Sequence, residues 1–264
     1  MNTPLAAPRE TPGPVVLVTG GAQRIGRAIA LELAAAGWRV AVHYRQSAAE
    51  ATRLLPELDG PRGPSMAFAA DLADEIQCRA LVPTVRATMG RVDAVVNNAS
   101  LFENDGVADF SYANMERHWR ANTGAPVLLA QALHAAGGQV VVNLLDQKLW
   151  NPNPDHLSYT LSKAALEAAT KMLALALAPR VRVCGVAPGL TMISSEMTEA
   201  EFERAFRMTP LTRGATPTDV ARAVRFAIES PAITGTTLLV DGGQHLMAQP
   251  RDVSVLALDN TTPL

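Results

Sequence analysis

VVLVTGGAQRIGRAIALELAAAGWRVAVHY, residues 15–44, reads as one strand–helix–strand unit. Its first four residues are an unbroken apolar run, the pattern of a strand covered on both faces. A turn at Thr19-Gly20-Gly21 ends that run, a helical pattern follows from about Arg24 to Ala36, and an apolar β run returns at 38–44. Gly20 and Gly21 permit a tight turn and close approach of a ligand to the backbone, while Gly26 permits close helix–strand packing. The free amides and positive dipole end of the helix N-terminus then suit a pyrophosphate. A glycine turn alone is weak evidence; after the first strand of an α/β chain it points to a dinucleotide.

The alternation continues outward from this unit. Helical patterns at about 47–58 and 74–89 are interleaved with apolar runs at 66–69 and 93–96, and a long helix is expected around 112–136. Further on come VVVNLL at 140–145, a helix carrying Tyr159, VRVCGVA at 181–187, a helix at about 217–229 and TLLV at 237–240. Continuously apolar strands alternating with helices predict a single-domain, doubly wound, Rossmann-like parallel sheet. The boundaries expected are a loose proline-rich tail over 1–14, the domain over 15–247, and a C-terminal extension over 248–264.

Composition narrows the function classes. The chain has 264 residues, 48% of them hydrophobic and 18% charged, with a net charge of −2. Its charges are interspersed and no apolar run reaches about 18 residues, so neither a nucleic-acid nor a membrane partner is expected. Residues 1–14 lack the basic start and apolar stretch of a signal peptide. Cys78 and Cys184 read as reduced packing residues, in keeping with a cytoplasmic location. The five histidines are scattered without ligand spacing, so no metal is expected.

Chemistry-bearing residues gather at the C-terminal ends of the predicted strands, where open parallel sheets bind ligands. Asp146 falls where the 140–145 run ends, and Tyr159 and Lys163, four apart on one helix, share a face. A phenol titrates near pH ~10 by itself, and a lysine one turn away is expected to bring it down towards neutrality. The second strand ends in His43-Tyr44-Arg45-Gln46-Ser47, with a cation where NAD-preferring sites carry an acid, so a 2′-phosphate and hence NADP is favoured. Asp71-Leu72 and Asn98-Ala99-Ser100 follow the third and fourth strands, beside the expected cofactor. Asn122 lies inside the long helix, four residues before Pro126, where a kink is plausible; spacing leaves open whether it serves structure or chemistry.

The Thr-Gly turn, Asn97-Asn98-Ala99, Tyr159-x-x-x-Lys163, APGL at 187–190 and VDGG at 240–243 together resemble the short-chain dehydrogenase/reductase family from about Val15 to Leu246. The resemblance implies strand order 3-2-1-4-5-6-7, a nicotinamide cofactor and a homotetramer. It makes Tyr159 the proton donor, has Lys163 hold the nicotinamide ribose, and gives Asn122 a water in a proton relay. It also sets Gly20, Arg24, Ile25, His43, Tyr44, Arg45, Ser47, Asp71, Leu72, Asn98, Ala99, Ser100, Pro188 and Gly189 along the cofactor, and a lid over 189–213 whose apolar residues are either core or pocket.

Two departures narrow it. The family's usual serine thirteen residues before the tyrosine is Asp146, and a usual glycine of the first turn is Arg24. Both are features of the pteridine reductases, and HYRQSAAE at 43–50 and NNASLF at 97–102 resemble that group too. The implied reaction is NADPH-dependent reduction of a C=N bond in a pterin- or folate-like small molecule. Arg24, Ser100 and Phe102 would orient the ring while Asp146 and Tyr159 pass the proton. Reduction of another carbonyl or imine, and an NADP-sensing protein without catalysis, are the alternatives.

Overall fold

β1 (Val15–Val18) lies at the centre of a seven-stranded sheet in the order β3-β2-β1-β4-β5-β6-β7. The computed structural model describes residues 12–193 and 197–258. The other strands are β2 (Arg39–Tyr44), β3 (Met66–Ala69), β4 (Ala94–Asn97), β5 (Val140–Leu144), β6 (Arg182–Pro188) and β7 (Thr237–Val240), and every neighbouring pair is parallel. The expected order therefore holds, and the strand boundaries move by one residue at most.

Side-chain alternation explains why the strands read as unbroken apolar runs. Val16 and Val18 enter one core with Ile29 and Leu33 of α1 (Arg24–Ala35) and Val220 and Val224 of α8 (Pro217–Glu229). Val15 and Leu17 enter the other with Val82 and Val85 of α3 (Glu75–Met89) and Leu129 and Leu133 of α5 (Ala125–Ala136). Helix α2 (Ala48–Leu58) completes the first layer and α6 (Leu157–Leu177) the second. The chain leaves β1 towards β2 on one side while β4 lies on the other, so the loops after β1 and β4 part and open a crevice.

Hydrogen bonds hold that crevice to shape. Thr19 Oγ1 accepts the amides of Asn98 and Ala99 at 2.9 and 3.0 Å, and the Asn98 side chain donates to the carbonyls of Thr19 and Gly20. Gly20 takes φ +60°, and a Cβ on Gly26 would lie 2.1 Å from the Gly20 oxygen.

The long helix is not continuous. It divides into α4 (Tyr112–Trp119), a π-turn (Arg120–Gly124) and α5. Pro126 brings no N–H to the carbonyl four residues back, that of Asn122, and the backbone widens there instead of kinking at the proline. Within the expected lid, α7 (Glu199–Arg207) forms with a capping box between Thr198 and Glu201; residues 194–196 lie outside the described part. The C-terminal extension differs from a loose tail. α9 (Val253–Leu258) returns to its own chain, and Val253 packs with Met197, Leu190, Phe202 and Ala205.

Gly26→Ala is expected to cost about 2–3 kcal/mol by overpacking the first turn. Thermal denaturation and NADPH titration check this; an alanine variant as stable and as tightly binding as the parent would refute the close approach.

Candidate active site

Two adjoining cavities occupy the C-terminal edge of the sheet. One, of about 410 Å³, is lined by Gly20, Arg24, Ile25, His43, Tyr44, Arg45, Ser47, Asp71, Leu72, Asn98, Ala99 and Ser100 among others. The second, of about 750 Å³, is lined by Phe102, Asp146, Tyr159, Lys163, Pro188 and Gly189, and shares Arg24, Ile25, Asn98 and Ser100 with the first. Every residue expected at the site lines one cavity or the other, except Asn122.

Helix α6 delivers Tyr159 and Lys163. Its first turn is held from outside, since His156 at its N-cap offers no side-chain cap. Asp105 takes that part: its carbonyl accepts the Leu157 amide, and its carboxylate accepts the Ser158 amide at 2.9 Å and the Ser158 hydroxyl. Tyr159 Oη then donates to Asp146 Oδ2 at 2.8 Å. Asp146 Oδ1 accepts the Lys148 amide at 2.8 Å, which fixes the carboxylate at the end of β5.

Burial raises the proton affinity of Asp146, although the Lys148 amide, Tyr159 and Lys163 oppose it. Burial and the neighbouring carboxylate push the Tyr159 phenol well above its ordinary value. This reverses the expectation that Lys163 brings it down. Lys163 Nζ donates to the Leu144 carbonyl at 2.7 Å and stands 5.8 Å from the centre of the tyrosine ring, so burial and the nearer Asp146 carboxylate set the direction at the phenol. Burial in turn lowers Lys163 to about 8, with Asp146 opposing the shift.

Two further expectations change. Asn122 is fully buried: its side-chain oxygen accepts the Leu101 amide at 2.7 Å, and its amide donates to the Leu101 carbonyl and to Ser162 Oγ. The side chain therefore ties the loop after β4 to α6 and faces neither cavity. His43 is also buried, its Nδ1 accepting the Gly20 amide at 3.1 Å and its Nε2 facing the Ala70 carbonyl at 3.1 Å. That pairing makes it a neutral strut between three strand ends, and burial lowers its proton affinity.

The first cavity fits a dinucleotide phosphate. Its floor is the Gly20–Gly26 contact that a Cβ would fill, and exposed Arg45 forms no ion pair among the described residues. Arg24 holds φ +51°, an uncommon backbone for a residue with a Cβ, and donates to the Ile193 carbonyl at 3.2 Å, reaching from the first turn to the segment after β6. In the second cavity Phe102 is 55% exposed, meets Tyr159 edge-on at 4.7 Å and lies 4.3 Å from the His156 ring. His156 Nδ1 and Gln147 Oε1, both on buried residues of this wall, have no hydrogen-bond partner among the described residues. The sequence carried no signal for them, because nothing local tells a buried polar residue of a turn-rich loop from a solvated one. Among the described residues no cluster suits a metal ion, and no helix is long and apolar enough to cross a membrane.

The model of the Enoyl-(acyl carrier protein) reductase family matches residues 20–245. The chain is 33% identical over 239 residues to the 3-oxoacyl-[acyl-carrier-protein] reductase of Synechocystis, covering 87% of this chain and 96% of that protein. It is 32% identical over 279 residues to pteridine reductase 1 of Leishmania tarentolae, covering 88% and 96%. Among solved structures, FolM alternative dihydrofolate reductase 1 from Brucella canis complexed with NADP superposes with a TM-score of 0.82 at 40% identity, over 89% of this chain and 95% of that one.

Because Lys163 sits near 8, kcat/KM for reduction is expected to fall as pH rises through about 8, as the ammonium loses its proton. A pH–rate profile checks it, and a rate still climbing at pH ~9 would detach this lysine from the reaction.

Proposed function

Because the chain belongs to the short-chain dehydrogenase/reductase family, as an NADP-dependent reductase, we propose that it reduces a C=N bond of a pterin- or folate-like heterocycle. The observation that carries this reading is the hydrogen bond from Tyr159 Oη to Asp146 Oδ2, beside the open face of Phe102. A carbonyl oxygen and a ring nitrogen alike take up a proton with the hydride, so what favours the heterocycle is the open flat face of Phe102 beside the donor pair. A carboxyl of raised proton affinity touching the donor phenol keeps that donor loaded.

Arg45 and the glycine turn would hold the phosphates of NADPH, and Lys163 its nicotinamide ribose. Bound NADPH supplies the hydride. Tyr159 would give its proton to the ring nitrogen, the Lys163 charge would stabilise the phenolate left behind, and Asp146 would relay a replacement proton to it from solvent in the open cavity. Phe102 offers a flat face to the heterocycle, at the offset geometry aromatic rings prefer. Arg24, common to both cavities, and Ser100 would meet the polar edge of the ring. The family pattern adds a homotetramer in the cytoplasm to this reading.

The similarity to a 3-oxoacyl-[acyl-carrier-protein] reductase favours a second reading, a carbonyl reductase. The two part in one assay. Purified protein is followed for NADPH oxidation with dihydrobiopterin, dihydrofolate and a 3-oxoacyl thioester. Turnover of the pteridines, lowered about 100-fold or more in Tyr159→Phe, is expected. Turnover of the thioester alone would overturn the pteridine reading.

A further inference from the structure

The family match ends at residue 245, yet the second cavity is closed by residues beyond it, Asp252 and Val253. The segment carrying them is anchored at several points. Arg251 makes a forked ion pair with the Asp155 carboxylate at 2.7–3.0 Å, and the Asp252 amide donates to the same carboxylate at 2.7 Å. The Gln249 amide reaches Asn151 Oδ1 at 3.3 Å, and Val253 is buried against the lid.

The Asp252 carboxylate is not on the surface side of this anchor. It pairs at 3.0 Å with Nζ of Lys148, a lysine whose side chain is only 3% exposed and which also donates to the Asp155 carbonyl at 2.6 Å. The backbone amide of Lys148 is the one that holds Asp146 Oδ1, and Asp146 Oδ2 receives Tyr159. A single run of polar contacts thus joins the C-terminal segment to the donor phenol: Asp252, Lys148, Asp146, Tyr159. Burying a lysine is costly unless it is paired, and Asp252 supplies the only carboxylate that Lys148 Nζ meets among the described residues, beside the Asp155 carbonyl.

We propose that Asp252 is a positioning residue of the active site, holding Lys148 and through it the Asp146 carboxylate against Tyr159, and placing a negative charge behind the donor pair. The inference rests on Asp146 and Tyr159 being that pair. Among the described residues, the charged and titratable groups around Asp252 include Lys148 from the β5–α6 loop, Asp155 and Arg251 at the anchor, and Arg24, Glu103, Asp146, His156, Tyr159 and Lys163 along the cavity. In this setting Asp252 raises the proton affinity of both Asp146 and Tyr159. It also explains why a segment outside the family pattern is folded onto the site.

The test compares wild type with Asp252→Asn, Asp252→Glu and Arg251→Gln. Titration of Asp146 is read by NMR of carboxyl-labelled aspartate, assigned with Asp146→Asn, so it needs no substrate. In Asp252→Asn, Asp146 is expected to titrate about half a pH unit or more lower, the size a lost neighbouring charge gives. Its kcat is expected to fall about 10-fold with the NADPH Kd unchanged, the mark of a misplaced donor. Asp252→Glu should restore most of both. Arg251→Gln, which removes only the exposed side of the anchor, should show a smaller loss of the same kind and remains informative if Asp252→Asn fails to fold. Wild-type titration and kcat in every variant that folds would overturn the proposal. Absence of pteridine turnover by the wild type would instead remove the functional reading, while the titration still decides the role of Asp252.

Discussion

Tyr159 and Asp146 meet at 2.8 Å on the half-buried wall of the larger cavity, and much of the surrounding structure holds that contact in place. A carboxylate taken out of water is unfavourable unless its oxygens are satisfied. Here one oxygen is met by the Lys148 amide and the other by the phenol, while the Lys163 ammonium stands behind. Each of these partners depends on an element some distance away. α6 is aligned by Asp105, the loop after β4 is tied to it by Asn122 and Ser162, and Lys148 is held by Asp252 from the far end of the chain.

The same contact accounts for the direction in which the site is poised. A lysine beside a tyrosine suggests a lowered phenol, and that is the effect expected from their spacing alone. In the folded chain the closest charge to Tyr159 is the carboxylate, so the phenol holds its proton more tightly. A donor that remains protonated at neutral pH suits the reductive direction, in which a proton must be delivered with each hydride. Lys163, lowered by burial, becomes the group whose charge is lost first as the solution turns alkaline.

The fold was legible because the central strands β1, β4 and β5 are buried on both faces and read as apolar runs, and because Gly20 and Gly26 mark the turn after β1. The lining of the first cavity was legible for a related reason: its residues follow strand ends, and strand ends are local features. What escaped was set by contacts remote in sequence. His43 follows the second strand like a cofactor ligand, but the Gly20 amide and the Ala70 carbonyl claim both its nitrogens. Asn122 sits at the π-turn that Pro126 induces, and its side chain is absorbed by Leu101 and Ser162. Lys148 and Asp252 are 104 residues apart, and each alone looks like an ordinary surface charge.

The proposed reduction depends on Asp146 keeping the Tyr159 donor loaded. Stopped-flow single-turnover reduction of a dihydropteridine by preformed enzyme–NADPH, comparing wild type with Asp146→Asn in ordinary and deuterated water, tests it most directly. Asp146→Asn is expected to bind NADPH as before and to transfer hydride about 100-fold more slowly, with a changed solvent isotope effect, as fits loss of an acid–base group. Hydride transfer at the wild-type rate and with the wild-type isotope effect would contradict the account.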